Sequence, residues 1–414
     1  MTPTDGSFDS DPALVRGLTE SRFSRRQLLR SAGVGAGSLA LASLLAACGG
    51  APAADHGATG GFDWSKQKKT GEFTFGNWPM YVDRAKVNGE AVHPSLQKFT
   101  QDTGITVDYK EVIDDYASWF GKLQPQLDAK QTTGFDLIVM GYPKWLPLMM
   151  QLGYLIPLDQ SFLSNFQKYA APSYRDRSYD PGNKYSVPYQ SGITGIGYDI
   201  DQTGREVTSL ADLFSKEFEG KVGMFNDTED TPNMALLALG VEPTTSTPAD
   251  WQKAADFLTR QRDAGIVRQY YGQGYIGDLQ TGNLAVCLAW SADVLQSQLH
   301  GYPNLRFVVP DEGGLLWTDC MCIPIGAKHP VDAITYMDYV YQPEIAAMLT
   351  DWILNVSPVP GAQKVLVAEG EGAVAKNPLV FPTPDMYERL HGYRILDARE
   401  TQEWNDIFLP IYQS

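Results

Sequence analysis

Aromatic and acidic residues follow the ends of four segments that are predicted to be strands, and lysine and arginine are almost absent from the same positions. The residues are Trp78 and Tyr81, Asp227 and Asp230, Trp290 and Asp293, and Trp317 and Asp319. An aromatic ring attracts an ammonium group by roughly 0.5–2 kcal/mol, and an aspartate adds charge-assisted hydrogen bonds. Together these residue types favour the binding of an organic cation.

Each of these residues also has a purely structural interpretation. A tryptophan after a strand often packs in the core, and an aspartate there often caps the next helix. Asp227, Asp230 and Asp293 all precede predicted helices, so capping stays open for each of them. Asp319 differs because it lies between a tryptophan and the apolar run 320–325. We therefore expect Asp319 to be partly buried and to need a hydrogen-bond partner.

The elements that would position these residues alternate between strand-like and helix-like segments. The predicted strands are 72–76, 105–111, 135–140, 222–225 and 284–290. The predicted helices are 93–103, 115–130, 143–152, 234–239 and 248–264. This alternation predicts an α/β fold with open sheets and helices on both faces. Ligands of open α/β sheets bind beyond the carboxyl ends of the strands, where the aromatic and acidic residues lie.

The composition excludes several classes of protein. A length of 414 residues suggests two or three domains, and 43% hydrophobic with 20% charged residues fits a globular core. The net charge of −16 argues against a nucleic-acid partner, because phosphate binding needs basic surfaces. No apolar run is long enough to span a membrane. No Walker loop or GxSxG motif occurs.

The sequence also predicts neither a metal nor a cofactor. The five histidines show no metal-ligand spacing; they are His56, His93, His300, His329 and His391. Four cysteines are too few for a disulfide scaffold. Cys287, Cys320 and Cys322 lie in apolar runs, and we expect them to be buried thiols.

The N-terminal segment carries export signals. The residues SRRQLL (24–29) place a twin arginine before a weakly apolar stretch that ends in LAAC (45–48). This combination resembles the Tat signal of an exported bacterial lipoprotein, in which Cys48 would accept the lipid. We expect residues 1–47 to be removed and residues 48–65 to form a flexible tether. The protein would then be lipid-anchored at the outer face of the cytoplasmic membrane or in the periplasm.

Six motifs carry a family resemblance that covers about residues 70–412. They are NWPMY (77–81), TGITV (103–107), FDLIV (135–139), DPGNKYSVPY (180–189), LAWSADV (288–294) and the EGG…WTD run (312–319). With these motifs the chain resembles the periplasmic spermidine/putrescine-binding proteins of bacterial ABC importers.

The resemblance implies a two-lobed, periplasmic-binding-protein-like fold of type II, with open mixed sheets and hinge crossovers between the lobes. The first lobe would contain residues 66–190 and 318–360, and the second lobe residues 191–317 and 361–414. Chain crossings are expected near Ser191–Gly197 and Gly314–Asp319. The glycines of SGITGIG in the first crossing would let the backbone bend there.

The resemblance also implies a ligand cleft between the lobes, with aromatic walls and acidic ends. By residue-to-residue match, Trp78 and Tyr81 would come from the first lobe, and Trp317 and Asp319 would lie at the hinge and grip an amine. The contributions of the second lobe would be Asp227, Asp230, Trp290 and Asp293.

The chain departs from the family pattern at some contact positions. After the FDLIV strand it reads MGYPKW (140–145), with one extra residue, so Tyr142 and Trp145 are both candidate contacts. Lys144 between them would disfavour a cation unless it points outward. Ser357 stands where the family has an aromatic residue. The candidates for a C-terminal contact are Tyr393 and Arg394.

The implied function is that of a lipid-anchored, monomeric, non-enzymatic binding protein that delivers polyamines such as putrescine or spermidine to a membrane permease. Two alternatives remain open. One is the same fold with another ligand: a quaternary or guanidino cation, an opine-like compound or a sugar. The other is an exported glycosidase that uses paired carboxylates.

Overall fold

The computed structural model describes residues 62–412. The predicted signal peptide, the proposed lipid acceptor Cys48 and most of the predicted tether lie outside the described residues. Phe62 and Trp64 already pack against the hydrophobic core, and Trp64 Nε1 donates to the Pro157 carbonyl at 2.8 Å. The last residues of the predicted tether, 62–65, therefore belong to the fold instead. Within residues 62–412, every helix is too short or too polar to cross a membrane.

The described residues form twelve strands. Their bounds are β1 Glu72–Asn77, β2 Ala85–Val87, β3 Glu90–Val92, β4 Thr106–Glu111, β5 Leu137–Tyr142, β6 Ser186–Asp199, β7 Val222–Phe225, β8 Val267–Tyr271, β9 Val286–Trp290, β10 Leu305–Val308, β11 Gly314–Cys322 and β12 Leu390–His391. Ten of them build one sheet in the order β4-β1-β5-β11-β6-β9-β7-β8, with β10 beside β6 and β12 beside β11. The strands β2 and β3 form a separate hairpin.

The sheet is mixed. β1 pairs in parallel with β4 and β5, and β7 pairs in parallel with β8 and β9. The central strands β5, β11, β6 and β9 pair antiparallel to one another. The predicted α/β class with mixed strand directions is therefore confirmed.

Fifteen α-helices connect the strands of the described chain, together with short 3-10 turns. Their bounds are α1 Pro94–Thr103, α2 Tyr116–Asp128, α3 Trp145–Gln151, α4 Ser164–Tyr169, α5 Ile200–Thr203, α6 Asp230–Ala238, α7 Pro248–Asp263, α8 Tyr275–Gln280, α9 Ser291–Leu299, α10 Pro330–Tyr339, α11 Pro343–Ile353, α12 Gly361–Glu369, α13 Gly372–Ala375, α14 Pro384–Tyr387 and α15 Ala398–Tyr412.

Local sequence signals set most helix ends where they were predicted. Gly104 ends α1 with a left-handed backbone, φ 71°, which glycine adopts without strain. Thr247 and Asp250 form a capping box at the start of α7, where a proline occupies the first turn. The helix α6 differs from prediction, because it begins at Asp230 rather than at Met234. Asp230 therefore lies in its first turn, and Asp227 and Glu229 lie just before it.

The two ends of the sheet have separate hydrophobic cores. The first core surrounds β1 and β5 and includes Phe73, Phe75 and Ile138. The second core surrounds β7 and β9 and includes Val222 and Trp251. We call the elements around these cores the first lobe and the second lobe. The three cysteines 287, 320 and 322 are free and buried, as predicted.

The two long strands β6 and β11 connect the cores, and both predicted crossings lie in them. The glycines of the SGITGIG run have no positive φ and form regular ladder pairs, such as Gly192 with Trp317. A Cβ atom on Gly192 would come within 1.9 Å of the Trp317 ring. These glycines therefore permit close packing, rather than the backbone bend that was expected.

The segment after Gly361 packs with the first core, although the predicted boundaries assigned it to the second lobe. Ala362, Leu366 and Ala375 are buried in the first core. The final helix α15 buries Trp404 and Phe408 in the second core. The exact division of the chain between the lobes remains a prediction, and these contacts favour a return to the second lobe after Phe381, which still packs against the first core.

Candidate functional site

The carboxylate of Asp319 lies at the point where the lobes meet. It is only 6% exposed, as expected for its position in β11. Its oxygens accept hydrogen bonds from the hydroxyls of Tyr81, at 2.8 Å, and Tyr116, at 2.5 Å. Burial raises the pKa of Asp319 from 3.8 to about 6, although both hydroxyls favour the charged form.

Two chains of hydrogen bonds extend from Asp319 into the first lobe. Trp78 Nε1 donates to the Tyr116 hydroxyl at 3.0 Å, and the two rings meet edge to face at 4.9 Å. Asn355 Nδ2 donates to the Tyr81 hydroxyl at 3.0 Å. The structure therefore brings together Trp78, Tyr81 and Asp319, three of the candidate residues predicted from sequence.

Asp293 approaches this group from the second lobe. It lies in the first turn of α9 and accepts a hydrogen bond from the Tyr275 hydroxyl at 2.7 Å. Burial raises the pKa of Asp293 to about 6. The pKa of Tyr81 is raised well above its usual value, first by burial, then by Asp319 and also by Asp293. Asp293 of the second lobe therefore affects the pKa of Tyr81, a residue of the first lobe.

Asp230 forms a second buried acidic centre, and its side chain does not cap a helix. The carboxylate accepts from Thr194 Oγ1 at 2.7 Å, Trp290 Nε1 at 3.0 Å and the Tyr393 hydroxyl at 2.5 Å. Burial raises the pKa of Asp230, against the effect of these three donors. The Trp290 ring stacks on Phe225 with centroids 4.6 Å apart, so one of its faces is covered.

Asp227 is the candidate for which the structural interpretation holds. Its Oδ1 accepts from the backbone N–H groups of Glu229, Asp230 and Thr231, which is a helix-capping arrangement at α6. Burial and the neighbouring Asp230 raise the pKa of its carboxyl. A cap can still contact a ligand, because a carboxylate has two oxygens.

Trp317 lies half-buried on β11, two residues before Asp319, with its ring against Gly192. Its indole N–H is buried and has no hydrogen-bond partner among the described residues. An unpaired buried donor costs free energy. The indole is thus held in place by ring packing and not by a polar partner.

Side chains at the end of β5 and just after it have partners in both lobes. The Tyr142 hydroxyl donates to the Tyr393 carbonyl at 3.1 Å. Lys144 Nζ lies 3.1 Å from Glu229 Oε1, so this lysine points toward the second lobe. The Trp145 ring packs against Phe120 in the first core.

The remaining C-terminal candidates have different partners. Tyr393 is buried and hydrogen-bonds Asp230, as described above. Arg394 forms an ion pair with Glu400 at 2.7 Å. The Ser357 hydroxyl accepts from the Val359 N–H at 3.3 Å, a local loop contact.

Sequence reasoning missed the donors that hold the carboxylates. The sequence did not identify Tyr116, Tyr275 and Thr194, which donate to carboxylates, or Asn355, which donates to the Tyr81 hydroxyl. Each of them is separated in sequence from its partner. Tyr116, directly after the helix-capping Asp115, lies 203 residues from Asp319. These donors and their partners come together only when the strands pair and the chain folds.

The hydrogen-bond donors of the four aspartates are hydroxyl, indole and backbone groups. Such donors stabilise a carboxylate but carry no compensating charge. Among residues 62–412, no group of three or more histidine, cysteine or acidic side chains has the geometry to hold a metal ion. The arrangement is therefore suited to an organic cation, which would bring the missing positive charge.

A profile of the bacterial extracellular solute-binding protein family matches residues 95–382. The putrescine-binding periplasmic protein PotF of Escherichia coli is 26% identical over 353 residues, which cover 80% of this chain and 90% of that protein. Spermidine/putrescine-binding periplasmic protein 1 of Haemophilus influenzae is 30% identical over 297 residues, which cover 72% of this chain and 79% of the relative.

Solved structures show the same architecture. The crystal structure of the spermidine/putrescine ABC transporter substrate-binding protein PotD from Streptococcus pneumoniae superposes with a TM-score of 0.69 at 24% identity. The match covers 83% of this chain and 98% of that chain. This likeness confirms the predicted two-lobed binding-protein fold.

Proposed function

The chain belongs to the family of bacterial extracellular solute-binding proteins, and from this premise we propose that it captures polyamines for an ABC importer. The observation that carries the proposal is the buried carboxylate of Asp319, held at the junction of the lobes by two neutral tyrosine hydroxyls. The names of the relatives from Escherichia coli and Haemophilus influenzae, which include putrescine and spermidine, support the same ligand class.

In the proposed complex, one ammonium group lies between Asp319 and Asp293, one carboxylate from each side of the cleft. A second ammonium group lies near Asp230, with Asp227 beside it. The rings of Trp78, Tyr81, Trp290 and Trp317 line the methylene chain. An ammonium group beside a buried carboxylate supplies the opposite charge. It therefore offsets the repulsion and the desolvation that raise the pKa of that carboxylate. The ligand therefore stabilises the state in which the two lobes close around it.

The finer parts of the proposal concern location and partners. The twin-arginine stretch and the LAAC sequence support Tat export and lipidation of Cys48. The protein would work as a monomer, without enzymatic activity, and pass its ligand to permease subunits in the membrane. Replacing Cys48 by Ala should release the protein from membranes into the soluble fraction. A Cys48→Ala protein that stays in the membrane pellet would contradict the anchor.

The ligand proposal is tested by calorimetric titration with putrescine, spermidine and N-acetylputrescine. We expect both polyamines to bind, and a ligand at 100 times its Kd to stabilise the fold by about 2.7 kcal/mol. The acetylated compound lacks one ammonium group and leaves a buried carboxylate unpaired. Its affinity for the protein should fall by about 2–5 kcal/mol, or roughly 30- to 5,000-fold.

The same titration separates the alternatives. Equal affinities for putrescine and N-acetylputrescine would contradict recognition of two ammonium groups. Binding of a sugar or an opine-like compound, with no response to polyamines, would assign the fold to another ligand. Release of a reducing sugar from a glycoside would favour the glycosidase alternative.

A further inference from the structure

Lys144 places a positive charge of the first lobe against the second lobe. Its Nζ atom lies 3.1 Å from Glu229 Oε1 and 3.1 Å from Thr228 Oγ1. Both side chains of the ion pair are largely shielded, with 26% and 23% exposure. The neighbouring Leu146 is buried in the first core, so the backbone of this segment is firmly attached to the first lobe.

The partner of Lys144 belongs to an acidic group at the start of α6. Glu229 lies between Asp227 and Asp230 in the chain, and the three residues stand in or just before the first turn of α6. Glu229 contributes to the raised pKa values of both aspartates, after burial has made the larger contribution. Tyr142, two residues before Lys144, also contacts Tyr393, whose hydroxyl binds Asp230. The lysine therefore contacts the residue that precedes Asp230 in the chain, at the start of α6.

We infer that Lys144 is a specificity-determining residue, a tethered cation at the Asp230 end of the cleft that selects diamines over longer polyamines. This inference rests on the proposed polyamine-binding function. Within residues 62–412, the carboxylates of Asp319 and Asp293 have tyrosine hydroxyls and no lysine as hydrogen-bond partners, and this centre takes the first ammonium group of a ligand. At the other centre, Lys144 already neutralises one of three carboxylates. A diamine has one ammonium group for the centre of Asp319 and Asp293 and one for the centre of Asp230 and Asp227, so it leaves the Lys144–Glu229 ion pair intact.

A triamine such as spermidine brings one more positive charge than putrescine. Its extra ammonium group must lie near Lys144 or displace the lysine from Glu229. Two like charges about 4–6 Å apart in a partly shielded site change an equilibrium constant by about tenfold or more. The penalty applies to the longer ligand and not to the shorter one, so it alters the ratio of their affinities.

The test compares Lys144→Met, which keeps the length of the side chain but removes its charge, with wild type. Lys184→Met is the matched control. Lys144 Nζ lies 5.0 Å from the ring centroid of Trp145, and Lys184 Nζ lies 5.0 Å from the ring centroid of Tyr185, so both lysines contact the aromatic residue that follows them in the chain. Calorimetric Kd values for putrescine and spermidine are measured on all three proteins. We expect the affinity ratio to move at least about tenfold toward spermidine in Lys144→Met only, and Lys144→Arg to restore the wild-type ratio.

Each other outcome has a defined meaning. An unchanged ratio, with both ligands weakened equally, would overturn the inference and indicate that the ion pair only holds the lobes together. An equal change in Lys184→Met would also overturn it, because the effect would then be one of net charge. Failure of the wild-type protein to bind either polyamine would reject the proposed function itself, whereas wild-type binding with an unchanged ratio rejects only the role of Lys144.

Discussion

At the scale of single residues, the molecule keeps negative charge in places where water is scarce. Asp319 is held by Tyr81 and Tyr116, and Asp230 is held by Thr194, Trp290 and Tyr393. None of these donors carries a charge. Hydrogen bonds of this kind fix the position of a carboxylate but leave much of its desolvation cost in place. A site so constructed gains most from a ligand that is itself positive.

The first prediction concerns the charge of Asp319. The substitution Asp319→Asn keeps the shape of the side chain but removes the counterion of the bound ammonium group. We expect affinity for putrescine to fall by about 2–5 kcal/mol, or roughly 30- to 5,000-fold, in calorimetric titration. The control is Asp108→Asn, which removes an exposed carboxylate paired with Lys110. Unchanged affinity in Asp319→Asn would mean that the carboxylate has only a structural role.

The second prediction concerns pH. The folded-state pKa of Asp319, about 6, lies above its ordinary value of 3.8. Between these values the folded protein binds more protons than the unfolded chain, so the contribution of Asp319 to stability falls as pH rises through this window. A difference of about two pKa units corresponds to on the order of 3 kcal/mol.

Thermal melts of the ligand-free proteins test whether the contribution of Asp319 to stability falls as pH rises. Asp319→Asn should gain stability relative to wild type when pH is raised from 4 to 7, because it has no proton to lose. Putrescine should reverse the trend in wild type, since a bound ammonium group favours the ionised carboxylate. A stability difference between the two proteins that does not vary with pH would contradict the assigned cause.

At the scale of elements, the strands β6 and β11 determine which residues meet. Their antiparallel register sets Gly192 opposite Trp317 and Gln190 opposite Asp319. Because side chains alternate between the faces of a strand, a shift of one residue would move Asp319 to the other face. The close approach of Trp317 to the β6 backbone depends on the absence of a side chain at position 192.

The third prediction tests that close approach. In Gly192→Ala the new methyl group would lie within 1.9 Å of the Trp317 ring, so the rigid indole must move. Overpacking of this kind costs about 1–3 kcal/mol of stability, and we expect weaker polyamine binding as well, measured by melts and titration. Gly121→Ala in α2 is the control, since a Cβ there has open space. Equal behaviour of the two variants would argue against a packing role for Gly192.

At the scale of the whole molecule, the candidate residues belong to two lobes with separate cores. Contacts between the lobes include the Tyr142–Tyr393 hydrogen bond and the Lys144–Glu229 ion pair. A small apolar cluster, which includes Leu295 of α9 and Leu354 after α11, also lies between them. Lobes with separate cores that are joined by a few strands and by small contacts can change their relative position at low cost. A ligand that contacts both acidic centres would favour the closed arrangement.

The fourth prediction is ligand-induced closure. Putrescine should reduce the radius of gyration in solution scattering and change the tryptophan fluorescence, because Trp78, Trp290 and Trp317 surround the proposed cleft. Asp319→Asn at the same ligand concentration should show neither change. Flat signals from the wild-type protein at saturating ligand would contradict closure around the ligand.

Much of the architecture was predictable because its causes are local. The left-handed glycine after α1 and the capping box of α7 set helix ends through neighbouring residues alone. Runs such as FDLIV predict a buried strand from composition, since a strand covered on both faces is apolar throughout. The acidic and aromatic residues after the strands were recognisable because each apolar run shows in the sequence where its strand ends.

The tertiary structure alone decided what each acidic residue does. Asp227 and Asp230 are three residues apart, yet the first caps α6 and the second binds Tyr393, 163 residues away. The role of Lys144 depends on Glu229, which belongs to the other lobe. Helix caps and strand runs are encoded within a few residues. Hydrogen bonds and ion pairs between distant segments depend on strand register and lobe position, which arise only when the whole chain has folded.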